Sequence, residues 1–297
     1  MKYVITGGAG NISKPLTEKL LKAGHDVTVI SRNAENIKSL TDLGAKGAIG
    51  SVNDIAFLQT TFAGADAVYT MVPPNYATND MKASIAEVGR NYAEALKATN
   101  VKYVVNLSSI GAHLPDGVGP VSGLYRVEQA LNELKDINIK HLRPAYFFAN
   151  LLGNVGMIKN MNIIGGNFGG ANFKMVLADT SDIAEVAFAE LSDLNFTGHS
   201  VHYIASDERT TDEIAKTIGV TIGKPELPWI VFSDEQALSG MMQMGFPENI
   251  AKNYTEMGHA IQTGIMPEDY WKNHPDKLGK TKLEDFAKTF AAVYNSN

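Results

Sequence analysis

The chain has 297 residues, enough for one large domain or two modest ones. Its net charge of −6 supplies no basic field for nucleic acid or an anionic membrane, and no nucleic-acid-binding motif accompanies it. There is no cysteine, which excludes disulfides, thiolate metal sites and a cysteine nucleophile and fits a reducing compartment such as the cytoplasm. The first apolar run, Tyr3-Val4-Ile5, meets Gly7 too soon for a signal-peptide core, and no stretch approaches the ~18 apolar residues of a membrane span. The expectation is a cytoplasmic protein with neither nucleic acid nor membrane as partner.

In chain order, short apolar runs alternate with amphipathic stretches. The predicted strands are "KYVIT" (2–6), "DVTVI" (26–30), "AKGAI" (45–49), "DAVYTMV" (66–72), "VKYVVNL" (101–107) and "IKHLR" (139–143). Helix-type segments lie near 12–23, 34–43, 54–63, 79–99 and 123–135. Several strands are apolar throughout, as in parallel strands covered on both faces, and the alternation predicts an α/β fold with a doubly wound parallel sheet. After Pro144 the pattern turns irregular. Residues 153–173 are rich in glycine and asparagine and read as an excursion or flexible loop, placed to close over a cleft. Strands at 173–178 and 200–205, with a helix at 180–192 between them, are expected to rejoin the sheet. The remainder is mostly helical. Capping boxes are predicted at Thr210-x-x-Glu213 and Thr281-x-x-Glu284, the latter opening an amphipathic helix to about Tyr294. The expected division is residues 1–152 plus about 173–205 as a cofactor-binding domain, with about 153–172 and 206–297 as a smaller, mostly helical part for substrate or partner.

"VITGGAGNISKPL" joins the first strand to the first helix. In a dinucleotide fold, Gly7 permits the tight turn and Gly10 lets backbone approach the pyrophosphate, which rests on helix N–H groups around Asn11 and Ile12. Glycines also serve ordinary turns; the position between strand and helix favours the cofactor. Ser13 stands where a third glycine is common, so a small shift of the helix is expected. At the end of the second strand, "VISRN" offers Ser31 and Arg32 where an NAD site carries a carboxylate for the ribose, with no acid before Glu35. Arg32 can pair with a 2′-phosphate, Ser31 can hydrogen-bond it, and Lys14 adds charge nearby, so NADP(H) is expected in preference to NAD(H).

"VITGGAGNIS", "VISRN", "MVPPN", "NLSSIGAH", "YRVEQAL", "LRPAYFFANL" and "ADTSDIAEVA" occur in an order that resembles the NmrA-like atypical short-chain dehydrogenases/reductases. The likeness runs to about residue 225. It implies a Rossmann domain that binds NADP(H), a smaller C-terminal domain and a cleft between them. It also implies that Val72 and Pro73 of "MVPPN" run beside the cofactor and that Ser108 and Ser109 of "NLSSIG" line its nicotinamide end. That family holds quinone and phenylpropanoid-ether reductases beside redox-sensing regulators, so the resemblance leaves catalysis open.

A short-chain reductase of the larger family uses serine, tyrosine and lysine: the tyrosine protonates a carbonyl oxygen as hydride arrives, and the lysine stabilises the phenolate. Tyr125 and Ser109 are the candidates here, but Gln129 stands four residues after Tyr125. The lysine slot that the NmrA-like resemblance implies, four residues before Glu128, holds Leu124. Arg126 points about 100° away from Tyr125 around the helix. Tyr125 is therefore expected as a neutral ligand contact or a packing residue. Ser108 and Ser109 have a competing role as strand-end serines bonded to backbone. His199 and His202 fall on opposite faces of a strand and do not chelate one metal; no metal site is expected. Methionines 241, 242, 244, 257 and 266 either wall a cleft or fill core gaps.

Two functions follow. One is an NADP(H)-dependent reductase-like protein that passes hydride to a quinone or small carbonyl compound. The other is a non-catalytic NADP(H) redox sensor that acts through a regulatory protein partner.

Overall fold

The computed structural model describes residues 1–170 and 172–296. Six strands, β1 (Lys2–Ile5), β2 (Asp26–Ser31), β3 (Lys46–Ile49), β4 (Ala67–Thr70), β5 (Tyr103–Leu107) and β6 (Asn138–Pro144), alternate with helices. The helices are α1 (Ser13–Lys22), α2 (Lys38–Thr41), α3 (Ile55–Phe62), α4 (Met81–Lys97) and α5 (Val121–Asn132). Then come β7 (Tyr146–Phe147), α6 (Val155–Met161), β8 (Ile164–Gly166), β9 (Lys174–Ala178), α7 (Thr180–Asp193) and β10 (His199–Ile204). The last stretch holds β11 (Asp207–Thr210), α8 (Thr211–Thr221), β12 (Trp229–Val231), α9 (Asp234–Gln243), α10 (Glu248–Gln262), α11 (Glu268–Lys272) and α12 (Leu283–Ser296).

Seven strands form one parallel sheet in the order β10-β6-β5-β4-β1-β2-β3. Strand order reverses between β1 and β4, which opens a crevice beyond their carboxyl ends, the usual ligand site of such sheets. Thr6 stitches that edge: its N–H donates to Tyr69 O at 3.1 Å, and its hydroxyl accepts the Met71 N–H at 2.8 Å. Both faces of the sheet are covered. Ile5, Leu16, Leu20, Val29 and Tyr69 belong to the larger apolar cluster, with α1 against α7. Val4, Leu58, Phe62, Tyr92 and Leu131 belong to a second cluster, under α3, α4 and α5. Helices α4 and α5 approach closely because two positions lack side chains: a Cβ at Gly89 would lie 2.7 Å from Val127 Cα, and one at Gly123 2.7 Å from Ile85 Cβ.

Polar groups cross the middle of the sheet as a chain. The Thr70 hydroxyl donates to Asn106 Oδ1 at 2.9 Å, Asn106 Nδ2 meets His141 Nδ1 at 3.1 Å, and His141 Nε2 meets Asn132 Oδ1 at 3.0 Å. Every link has a partner, as burial requires.

Four expectations are corrected. Residues 153–173 are not an irregular loop. A short 3₁₀ stretch runs into α6, and β8 then pairs in parallel with β12, while Ala171 lies outside the described residues. Glycine here allows close approach rather than looseness: a Cβ at Gly165 would stand 2.0 Å from Ile230 O. The strand at 174–178 does not rejoin the main sheet; β9 pairs with β7 and β11 in a separate three-stranded sheet, and only β10 returns, beside β6. The stretch 34–43 is a 3₁₀ turn followed by four residues of α2 rather than one helix. The capping box at Thr210 and Glu213 forms. The box at Thr281 and Glu284 is replaced by tertiary bonds: the Thr281 N–H goes to Asp182 at 3.0 Å, and the Glu284 carboxylate accepts from Arg209 at 3.0 Å. An unpredicted box, Ser233 with Gln236, starts α9. Among the described residues no helix is long and apolar enough to cross a membrane.

Candidate cofactor and substrate site

The glycine turn leaves β1 at the switch point. Gly7 and Gly8 have φ of 92° and 56°, a region that L side chains rarely occupy. A Cβ on Gly7 would stand 2.6 Å from Ser13 Oγ and 2.9 Å from Met71 Cγ, so Gly7 makes room for the serine that replaces the third glycine. Ser13 is buried and donates to Thr6 O at 2.8 Å, which ties α1 to the end of β1. Gly10 differs: it lacks a positive φ, and its Cβ would meet only Gly7 O, at 3.2 Å. Asn11 is exposed, Ile12 is buried, and α1 begins at Ile12 without a side-chain cap. The Lys14 N–H already donates to Gly10 O at 2.9 Å and Pro15 has none, so the N–H groups at the start of the turn into α1, those of Ile12 and Ser13, are the ones that would serve a pyrophosphate.

Ser31, at the end of β2, is buried beside Gly8, whose Cβ would lie 3.6 Å from the serine hydroxyl. That hydroxyl bridges to Asn33, donating to its carbonyl at 2.8 Å and accepting its N–H at 3.2 Å. Arg32 and Lys14 are exposed, and neither joins an ion pair among the described residues. Val72 and Pro73 leave β4 half-buried, and Tyr92 fixes the start of that loop by donating to Met71 O at 2.7 Å.

Ser108 and Ser109 follow β5 but differ. Ser109 is half-buried and donates to the Ile110 carbonyl at 3.0 Å. Ser108 is buried, and its hydroxyl donates to Glu128 Oε1 at 2.5 Å. Glu128, from α5, is 2% exposed, and Arg143, at the end of β6, holds it through Nε at 3.0 Å and Nη2 at 2.6 Å. The same guanidinium donates to Tyr203 on β10 at 2.9 Å and reaches Asp269 of α11 at 3.4 Å, and Tyr203 bonds Asp269 in turn. Burial disfavours the guanidinium charge, but the bonds and charge of Glu128 outweigh it, so Arg143 stays protonated. Sequence patterning missed this network. A glutamate on the helix and an arginine in an apolar strand carry no joint signal until α5 packs against β6.

Tyr125 is half-buried, three residues before Glu128 and so on the same side of α5, and its hydroxyl has no protein partner among the described residues. Arg126 faces away and pairs with Asp116 at 3.0 Å. A different tyrosine lines a cavity. Beyond the ends of β5 and β6 lies a cavity of about 120 Å³, lined by Ile110, Tyr146, Met175, Met266 and Trp271 among others, with Lys174 as its one charged residue. Burial raises the Tyr146 phenol to about 12, so it is a proton-bearing donor, and it too has no partner among the described residues. Tyr254 stands close by, within 3.4 Å of the Tyr76 hydroxyl. Met266 presses on Gly111, where a Cβ would lie 2.7 Å from its Cγ. The C-terminal segment is thus drawn against the loop after β5. Of the methionines, 266 is buried on this wall, 257 packs beside the core, and 242 and 244 are exposed on or beside α9. His199 and His202 turn to different partners, the Leu134 carbonyl and Glu190.

Residues 7–141 match the model of a family described as NAD(P)H-binding. An uncharacterized oxidoreductase, YesF, of Bacillus subtilis (strain 168) is 25% identical over 306 residues, covering 99% of this chain and 96% of that one. Among solved structures, a nucleoside-diphosphate-sugar epimerase from Staphylococcus aureus superposes with a TM-score of 0.80 at 16% identity, over 97% of this chain and all of its own. The Citrobacter sp. triphenylmethane reductase, complexed with NADP(H), gives 0.80 at 21% identity over 97% and 99%. The Escherichia coli NADPH-dependent quinone oxidoreductase QOR2 gives 0.78 at 20% over 97% and 98%. Identities this low carry the fold and not the reaction.

Proposed function

We propose that this chain, built on an NAD(P)H-binding domain with neighbours among the Rossmann-fold atypical short-chain reductases, is an NADP(H)-dependent reductase of flat, oxygen-bearing acceptors, quinones foremost. The observation that carries the reading is the apolar cavity beyond β5 and β6, lined by Tyr146, whose hydroxyl has no partner among the described residues. Gly7, Gly10, Asn11 and Ile12 would hold the pyrophosphate. Ser31, Arg32 and Lys14 would hold the adenosine end with its 2′-phosphate. Val72, Pro73 and Ser108 would flank the nicotinamide half. When bound, the reduced nicotinamide supplies the two-electron reducing equivalent as hydride.

The chain's own residues then have limited tasks. The cavity wall of Ile110, Met175, Met266 and Trp271 excludes water and holds the acceptor in place. Tyr146 donates a hydrogen bond to the acceptor oxygen, where charge develops. A quinone needs no tyrosine–lysine pair, since orientation provides most of the acceleration and solvent can provide the protons. On this reading residues 1–152 serve the cofactor while 153–172 and 206–297 complete the acceptor side, since Ile110 and Tyr146 line one cavity with Met266 and Trp271; β9, expected on the cofactor side, lines that acceptor cavity through Lys174, Met175 and Val176. The cavity also favours a small-molecule acceptor over the redox-sensor reading, because a sensor has no need of it.

The test is NADPH oxidation in the presence of a panel of quinones and aldehydes, with NADH in parallel. Turnover of quinones with preference for NADPH is expected. No oxidation with any acceptor, despite tight NADPH binding, would overturn the reductase reading and favour the sensor.

A further inference from the structure

The cavity's single charge is placed so as to discriminate among acceptors. Lys174 opens β9 at the cavity edge, and its ammonium pairs with Glu208 at 2.9 Å. Glu208 lies behind it, 11% exposed, and its other oxygen accepts from Tyr270 at 2.7 Å and meets His274 Nε2 at 2.6 Å. Burial pushes that carboxyl up, but these three donors outweigh it and hold it below the usual carboxylate range. The carboxylate is thus engaged by protein groups, and of the pair only Lys174 lines the cavity.

The other acids near the wall are also committed. Asp269 accepts from Arg143 and Tyr203, and Glu268 pairs with Lys272 at 2.5 Å. Of the aromatic rings in the wall, the indole of Trp271 is already faced by other groups. The Lys174 ammonium lies 5.7 Å from the centroid of Trp271, and the Trp271 ring stacks with His274 at 6.0 Å.

Resting on the reductase reading above, we propose that Lys174 is a specificity-determining residue: it makes the site select neutral or anionic flat acceptors and reject cationic ones of the same shape. A cationic ring would bring a second positive charge beside the ammonium, with no uncommitted carboxylate and no open indole face to offset it. A ring with an oxyanion or sulfonate would meet the ammonium as a partner.

The experiment uses three naphthoquinones of matched ring, one unsubstituted, one bearing a sulfonate and one a quaternary ammonium. Binding to the NADP⁺-loaded protein is followed by calorimetry at low salt, so the result does not depend on turnover. The expected order of affinity is sulfonate, then neutral, then ammonium, with steps of about fivefold for a partly exposed charge. Lys174→Met should bring the three within about twofold, and Lys174→Glu should reverse the order. Thermal melts check that each variant folds. An order unchanged in Lys174→Met, or no binding of any of the three, would overturn the proposal. Ordered binding without NADPH oxidation would uphold it and sink the reductase reading instead.

Discussion

Arg143 Nη2 stands 2.6 Å from Glu128 Oε2, and both side chains are buried. Through this pair the strand that ends beside the cavity grips the helix carrying Tyr125. The same guanidinium also meets Ala112 O at 3.4 Å and Asp269, so the loop after β5 and helix α11 depend on it. Removing Glu128 leaves the buried guanidinium with the more distant Asp269, at 3.4 Å, as its carboxylate partner in a medium that solvates it poorly. Glu128→Ala should therefore cost about 3–5 kcal/mol in urea unfolding, whereas Glu128→Met with Arg143→Met should recover most of that loss. A single variant as stable as wild type would mean that the pair contributes nothing beyond its desolvation.

Replacement of Gly10 tests the cofactor cradle. Gly10 lacks the positive φ of Gly7, and an added Cβ would press on Gly7 O alone, at 3.2 Å, so Gly10→Val should melt closer to wild type than Gly7→Val. NADPH affinity, read by calorimetry, should fall about tenfold or more because the valine occupies the approach to the pyrophosphate. Unchanged affinity would move the cofactor elsewhere.

Arg32 tests the choice of cofactor. Only NADPH offers the extra phosphate to this exposed guanidinium. Arg32→Ala should weaken NADPH by about 1.5–3 kcal/mol and leave NADH nearly unaffected. Wild-type protein that binds the two cofactors equally would refute the reading of "VISRN".

The two tyrosines separate by their surroundings. Tyr146→Phe should lower kcat/KM for a quinone by up to about tenfold, the worth of one neutral hydrogen bond. Tyr125→Phe should cost less, because Tyr125 is not among the residues lining the cavity. A thousandfold loss of turnover in Tyr125→Phe, with NADPH affinity retained, would instead make Tyr125 the proton donor.

His141 gives a pH signature. Burial lowers its imidazole to about 4, and the ring sits neutral between Asn106 and Asn132. Because the folded value lies below the unfolded one of about 6.5, the native state holds fewer protons there. Its contribution is complete above about pH 6.5 and is lost as pH falls toward 4, for a total of up to about 3 kcal/mol. Urea midpoints measured across that range should decline more steeply in wild type than in His141→Gln. Parallel slopes would assign the acid sensitivity to carboxylates.

The parallel sheet and its glycine turn were legible in the sequence because their causes are local. Apolar runs such as "DAVYTMV" are what doubly covered strands require, and Gly7 and Gly8 occupy backbone conformations that few other residues accept. Residues 153–173 misled because glycine density signals freedom in an isolated chain, whereas here it lets β8 approach β12, a contact that depends on residues more than sixty positions away. β9 likewise reads as a strand, but its partner is a matter of competition, and β11 and β7 win it from the main sheet. Tyr146 could be read only as one tyrosine among eleven until β7, α11 and the loop after β5 closed around it. Its partial burial and the lack of a partner among the described residues are properties of that enclosure and have no trace in the order of residues.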